Sequence, residues 1–211
     1  FYSSALSSDE VMQNYLFTQN NYPNTNHGTI TGATWNGSGY FDFDGIGDKV
    51  NFTDVGLTNS SISYITWINF DSYYSGDGTA IFHLGDGGAA GASLLFREKS
   101  SGKLALFTGG TFVTTTSTPL SLDTWHHVAL SVSGTAFSIY VDGTFVQTLT
   151  ADEYNFSGTD RLILCNYGNV PSGSSAQFLN GFVGEVKMYN RSLTGTEITA
   201  HYNSTKSTYG V

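Results

Sequence analysis

The stretch Trp125–Gly143, reading W-H-H-V-A-L-S-V-S-G-T-A-F-S-I-Y-V-D-G, constrains the fold of this chain more than any other. Two runs rich in β-branched and aromatic residues flank Ser133-Gly134, and the second run ends in Asp142-Gly143. Strand-forming runs punctuated by turn residues at this spacing make hairpins. Successive side chains of a strand point to opposite faces, so Trp125, His127 and Ala129 share one face, and His126, Val128 and Leu130 the other. In the next strand Phe137, Ile139 and Val141 lie together, opposite Ser138 and Tyr140. Asp142-Gly143 supplies the positive φ of a tight turn into Thr144–Leu149. Trp125–Leu149 therefore reads as a three-stranded antiparallel meander at the centre of a sheet.

Short runs of the same kind recur on both sides, among them Thr29–Trp35, Tyr40–Phe43, Thr79–Leu84, Ser93–Glu98, Leu104–Phe107, Leu162–Cys165 and Phe178–Tyr189. Ser61–Phe70 carries bulky groups on both faces, which suits a strand buried on both sides. Many short strands with a turn signal about every ten residues predict an all-β chain folded as a two-sheet antiparallel jelly-roll sandwich. Short helices are expected at its N- and C-terminal ends.

Those two helices come from an internal repeat. Aligned from Tyr2 onto Tyr189, an offset of 187 positions, Leu6 matches Leu193, Glu10 matches Glu197, Val11 pairs with Ile198, Tyr15 matches Tyr202, Thr18 matches Thr205, and Tyr22 matches Tyr209. Each copy opens with a capping box, Ser7-x-x-Glu10 and Thr194-x-x-Glu197. The expected organisation is a closing strand and helix of a preceding, similar module plus linker over 1–22, the jelly roll over 23–206, and the start of the next linker at 207–211. The other reading is a helix that belongs to this domain and resembles the C-terminal one by chance.

Charged residues make up 12% of the chain, against roughly 25% in ordinary soluble domains, and Gly, Ser, Thr and Asn take their place. A net charge of −9 with eight Lys plus Arg argues against nucleic acid, whose affinity comes from basic groups, and against an anionic membrane surface. It is compatible with divalent cations and neutral sugars. The single cysteine, Cys165, is expected to be a buried hydrophobe. His126-His127 is read as structural, with one ring packed in the sandwich and no third ligand spaced for zinc.

The Trp-x-His-Val-Ala strand and the closing Tyr140-Val141-Asp142-Gly143 resemble the laminin-G-like branch of the concanavalin A-like jelly rolls. Three flanking marks strengthen the resemblance: Phe43-Asp44-Gly45 with Asp48 soon after, Ser63-x-x-x-Trp67, and a last strand from Gly181 running into Tyr189-Asn190-Arg191-x-Leu193. Asp44 and Asp48 flank two glycines, so their carboxylates and nearby carbonyls are candidates to converge on one calcium ion. The resemblance implies a structural calcium in this region, completed by an acidic residue of the last strand. Gly184 stands where Asp is common in that family, so either one ligand is missing here or Glu185 replaces it. The alternative is that Asp44 and Asp48 serve backbone donors in a tight turn.

A neutral sugar presents an apolar face and a polar rim, so candidate ligand residues combine aromatic rings with hydrogen-bonding groups. Tyr73 and Tyr74 lie on a loop beside Asp71 and Asp77; His83 and Arg97 lie on neighbouring strands; Asn166, Tyr167 and Asn169 open a Gly/Ser-rich loop. Hydrolases of the resembling superfamily carry a Glu-x-Asp-x-x-Glu strand whose outer carboxylates attack and protonate; no such string occurs here. The expectation is a non-catalytic carbohydrate-binding or adhesion module of an extracellular, cell-surface or virion-surface protein. Its partners would be a glycan or cell-surface polysaccharide and neighbouring modules of the same chain. The alternative is a structural spacer or decoration domain making protein–protein contacts.

Overall fold

The computed structural model describes residues 28–52, 61–72, 78–84, 93–98, 102–108, 111–114, 119–150, 162–165 and 178–211. The predicted first helix lies outside these residues. Among the described residues, fourteen strands form two antiparallel sheets of seven. The first sheet runs, edge to edge, β1 (Thr29–Thr31), β4 (Lys49–Phe52), β13 (Leu162–Leu164), β6 (Gly78–Leu84), β7 (Ser93–Glu98), β8 (Leu104–Thr108) and β9 (Thr111–Thr114). The second runs β12 (Thr144–Thr150), β11 (Ala136–Val141), β10 (Trp125–Ser133), β5 (Ser63–Ser72), β14 (Asn180–Tyr189), β3 (Phe41–Asp44) and β2 (Thr34–Trp35).

The meander has the predicted register. Val128, Leu130 and Val132 pair with Val141, Ile139 and Phe137, and all six are buried in the core between the sheets. Asp142 and Gly143 both adopt positive φ, 50° and 72°, the geometry of a two-residue hairpin turn that follows the strand twist. Asp142 locks that turn by accepting the His127 N–H at 2.9 Å and facing His126 Nδ1 at 3.0 Å. Across the layers, Tyr64 of β5 meets Phe82 of β6 with ring centroids 4.3 Å apart. Cys165 is buried as expected, at a bend just past β13, where its φ is 64°.

β5 is buried on both sides because a helix covers its outer face. α1 (Gly195–Thr205) begins at the predicted capping box: Thr194 Oγ1 accepts the Glu197 N–H, and Glu197 Oε2 accepts the Thr194 N–H. Leu193 and Ile198 then pack on Ile65 and Ala129 in a second small apolar cluster. A 3-10 turn, Lys206–Tyr209, carries the chain onward, and Tyr209 is buried.

Candidate functional site

Of the predicted sugar-contacting residues, Tyr73, Tyr74, Asn166, Tyr167 and Asn169 lie outside the described residues. Arg97 stands in β7, its backbone paired with Thr79 and Leu104. His83 needs a correction. It pairs with Ile163 and Leu94 in β6 and its side chain is fully buried, so it is an interior group rather than part of a sugar-binding rim. Burial pushes its pKa down to about 4.

β3 ends in a turn opened by Gly45 and Gly47 at positive φ. Asp48 Oδ2 accepts the Asp44 N–H at 2.9 Å, and Asp44 Oδ1 accepts the Ile46 N–H at 2.7 Å. Asp48 is buried, which raises its pKa; the Asp44 N–H opposes the rise, and the charges of Asp44 and Asp42 add to it. Glu185 does not join this pair. Asp44 pairs with Asn180 at the start of β14, whereas Glu185 lies further along that strand, bound to Lys187 and His201. Among the described residues no three His, Cys, Asp or Glu side chains gather into a metal-holding group. Asp44 and Asp48 each serve a backbone donor in the turn, and the chelation experiment below tests whether they also hold calcium. The structure also accounts for Gly184, since a Cβ there would lie 2.5 Å from Tyr209 Oη. Tyr209 fills the space that a larger residue would need.

The outer face of the second sheet gathers two further groups. Beneath α1, the face predicted from Trp125, His127 and Ala129 meets the helix. His127 is fully buried there, between sheet and helix. Its Nε2 shares a 3.0 Å hydrogen bond with His201 Nδ1, while His201 Nε2 lies 3.0 Å from Glu185 Oε2, and Lys187 pairs with Glu185 Oε1 at 2.6 Å. His201 Nε2 thus faces both Lys187 Nζ, at 3.2 Å, and the Glu185 carboxylate. Burial, reinforced by His201, lowers the His127 pKa to about 4. Burial pushes Glu185 upward, but hydrogen bonds from His201 and Lys187 outweigh it and hold the carboxyl below its ordinary value. Trp67 stacks on Tyr202 and Tyr209 and donates its Nε1–H to Thr205 Oγ1 at 2.9 Å.

Beside this clasp, formed by α1 and the 3-10 turn on the sheet, Asp42, Phe182, Asn69 and Trp125 stand in one row across β3, β14, β5 and β10, each paired in register with the next. Tyr40 lies against the row, its ring centroid 5.2 Å from both Trp125 and Phe182. Tyr209 backs Trp125 at 4.8 Å. Tyr40, Phe182 and Trp125 are half-buried, while Asp42, Asp71 and Asp123 are exposed. Partial burial raises the Asp71 pKa, and the charges of Asp123 and Asp42 raise it further, so these carboxylates share one neighbourhood. The result is a partly open aromatic surface bordered by hydrogen-bond acceptors. Sequence alone does not reveal this row, because its members come from four separate strands. The available signal was a bulky aromatic out of register with the core, namely Trp125 opposite Val128 and Phe182 beside Val183.

The sequence matches the laminin-G-type family model described as the concanavalin A-like lectin/glucanases superfamily over residues 43–199. Among solved structures, domain 4 of AbnA, an extracellular arabinanase from Geobacillus stearothermophilus in complex with arabinotriose, is similar at 17% identity and a TM-score of 0.62, covering 82% of this chain and 81% of that one. A mutant Trypanosoma rangeli sialidase displaying trans-sialidase activity is similar at 16% identity and 0.66, covering 87% of this chain and 30% of that one. A botulinum neurotoxin type C structure, described as dependent on two ganglioside molecules for cell entry, is similar at 16% and 0.61, covering 85% and 47%. The chain thus spans under a third of the sialidase and about half of the toxin chain. At these identities the likeness shows the fold alone. No curated protein sequence matches. Among the described residues, no helix is long and apolar enough to cross a membrane.

Proposed function

Because the chain belongs to the concanavalin A-like lectin/glucanases superfamily, we propose that it is a non-catalytic carbohydrate-binding module of an extracellular or virion-surface protein. The observation that carries this reading is the row Asp42–Phe182–Asn69–Trp125 with Tyr40 against it. Aromatic rings suit the apolar face of a sugar, and a few well-placed polar groups fix its orientation. The rim consists of carboxylates, which accept hydrogen bonds from sugar hydroxyls and repel anionic sugars, so the ligand class is a neutral glycan. The arabinotriose complex of the arabinanase domain supports a sugar on this fold. The loop residues Tyr73, Tyr74, Asn166, Tyr167 and Asn169, with Arg97, form the second set to test.

A multivalent display of the chain on a glycan array tests the reading, since weak single sites become measurable through avidity. Neutral glycans are expected to bind in preference to sialylated ones. Tyr40→Ala and Asp42→Asn should each cut binding at least several-fold, with a Tyr73/Tyr74 double-alanine chain run beside them to score the loop. A multivalent display that retains no glycan contradicts the reading and favours a spacer domain.

A further inference from the structure

Tyr209 is where the C-terminal clasp and the aromatic row of the second sheet touch. Its ring stacks on Trp67, with centroids 4.5 Å and planes 19° apart, and it also meets Trp125, 4.8 Å away at a tilt of 52°. Trp67 is fully buried beneath the clasp, stacked on Tyr202 at 5.7 Å and bonded through its indole N–H to Thr205 Oγ1. One ring of the clasp therefore bears on the indole that stands last in the row Asp42–Phe182–Asn69–Trp125.

The fold pins Tyr209 from several directions. Its Oη accepts the Glu185 N–H at 2.7 Å. Gly184 leaves the space in which the ring lies, since a Cβ there would come 2.5 Å from Oη and 2.7 Å from Cζ. Gly210, at a φ of 75°, closes the 3-10 turn just beyond, and the N–H groups of Gly210 and Val211 both return to Lys206 O. Leu193 and Ile198 already cover Ile65 and Ala129, whereas the turn delivers a single buried side chain, Tyr209. Trp125 is half-buried, and the other rings against it, Tyr40 at 5.2 Å and Phe182 at 6.4 Å, are half-buried too. Tyr209 is thus the well-anchored neighbour of an otherwise loosely held indole. An aromatic ring fixed before its ligand arrives loses less freedom on binding.

We infer that Tyr209 is a positioning residue for the row: it holds the Trp125 indole at one tilt, so that closing the clasp and presenting the sugar-binding surface are a single event. What the indole is held ready to bind rests on the glycan reading above. By linkage, a sugar seated on Trp125 makes the clasp harder to open by the same factor that clasp closure raises sugar affinity.

The test compares the full chain with its Tyr209→Ala and Tyr209→Phe variants and with Leu149→Ala, a core truncation on the edge strand β12. Without sugar, the heteronuclear NOE of the Trp125 indole N–H should fall in Tyr209→Ala and stay at the wild-type value in the other two. With the neutral oligosaccharide selected on the array, Tyr209→Ala should bind about three- to tenfold more weakly, the worth of ordering one large side chain. Tyr209→Phe, which keeps the ring, and Leu149→Ala, which only lowers stability, should bind as the wild type does. In the wild-type chain, whose folding is not at issue, saturating sugar should slow hydrogen exchange of the Glu185 amide several-fold. An indole as ordered in Tyr209→Ala as in the wild type overturns the inference. So does unchanged affinity of Tyr209→Ala, or an unchanged Glu185 exchange rate, for a sugar that the wild type binds. A wild-type chain that binds no glycan contradicts the glycan reading instead, and the order of the Trp125 indole then decides the role of Tyr209 by itself.

Discussion

Replacing Gly184 by alanine tests the clasp where it is tightest. The added Cβ would lie 2.5 Å from Tyr209 Oη and 2.7 Å from Cζ, and the ring has little room to yield because it is stacked on Trp67 and tilted against Trp125. Displacing Tyr209 removes its hydrogen bond from the Glu185 N–H, a loss of about 1 kcal/mol. It also removes the aromatic pairing with Trp67, worth about 1 kcal/mol. Re-exposing about half of a tyrosine's buried surface costs about 2 kcal/mol more. Alanine in a strand returns about 0.5–1 kcal/mol relative to glycine. The net loss is about 3 kcal/mol, a fall in Tm of about 6–12 °C for a chain of this size. The assay is thermal and urea unfolding of the wild type, Gly184→Ala, Tyr209→Ala and the double variant. With Tyr209 already truncated, Gly184→Ala should be neutral or slightly stabilising, so the cycle should show strong coupling. Equal destabilisation by Gly184→Ala in both backgrounds would refute the contact as the reason for glycine there.

Acid should weaken the fold through the buried histidines His83 and His127. His83 and His127 have pKa values lowered to about 4 from the ordinary 6.5. The unfolded chain therefore binds more protons between those limits, and stability is fully present above pH 6.5 and lost as pH falls toward 4. Each histidine accounts for about 3 kcal/mol of that loss. Urea midpoints at pH 7 and pH 4.5 check this: His127→Gln should shrink the difference, and an unchanged midpoint in the parent chain would contradict it. For calcium, the carboxylates of Asp44 and Asp48 already accept the backbone N–H groups of Ile46 and Asp44, so chelation with EDTA is expected to leave Tm unchanged. A fall of several degrees, reversed by added calcium, would assign the ion to this turn.

The elements legible in the sequence were those whose signal is local. The meander alternates with period two, so the core register of Val128, Leu130, Phe137 and Ile139 could be read directly. The Thr194–Glu197 capping box marked the helix start, and the bulky residues on both faces of β5 announced its double burial. What covers the outer face of β5 could not be read, because Trp67 meets Tyr202 and Tyr209 only once the last strand has crossed the sheet. The same distance hid the burial of His127 under α1 and separated Glu185 from Asp44 and Asp48.

The central claim, a neutral-glycan site on the outer face of the second sheet, is tested most directly by an NMR titration of the isotope-labelled chain with a neutral oligosaccharide selected on the array. The indole signal of Trp125 and the amide signals of Asn69 and Phe182 should shift together and saturably, while the indole of Trp67, fully buried under the clasp, stays in place. Saturable binding that leaves Trp125, Asn69 and Phe182 unmoved would place the sugar elsewhere on the sandwich and contradict the account.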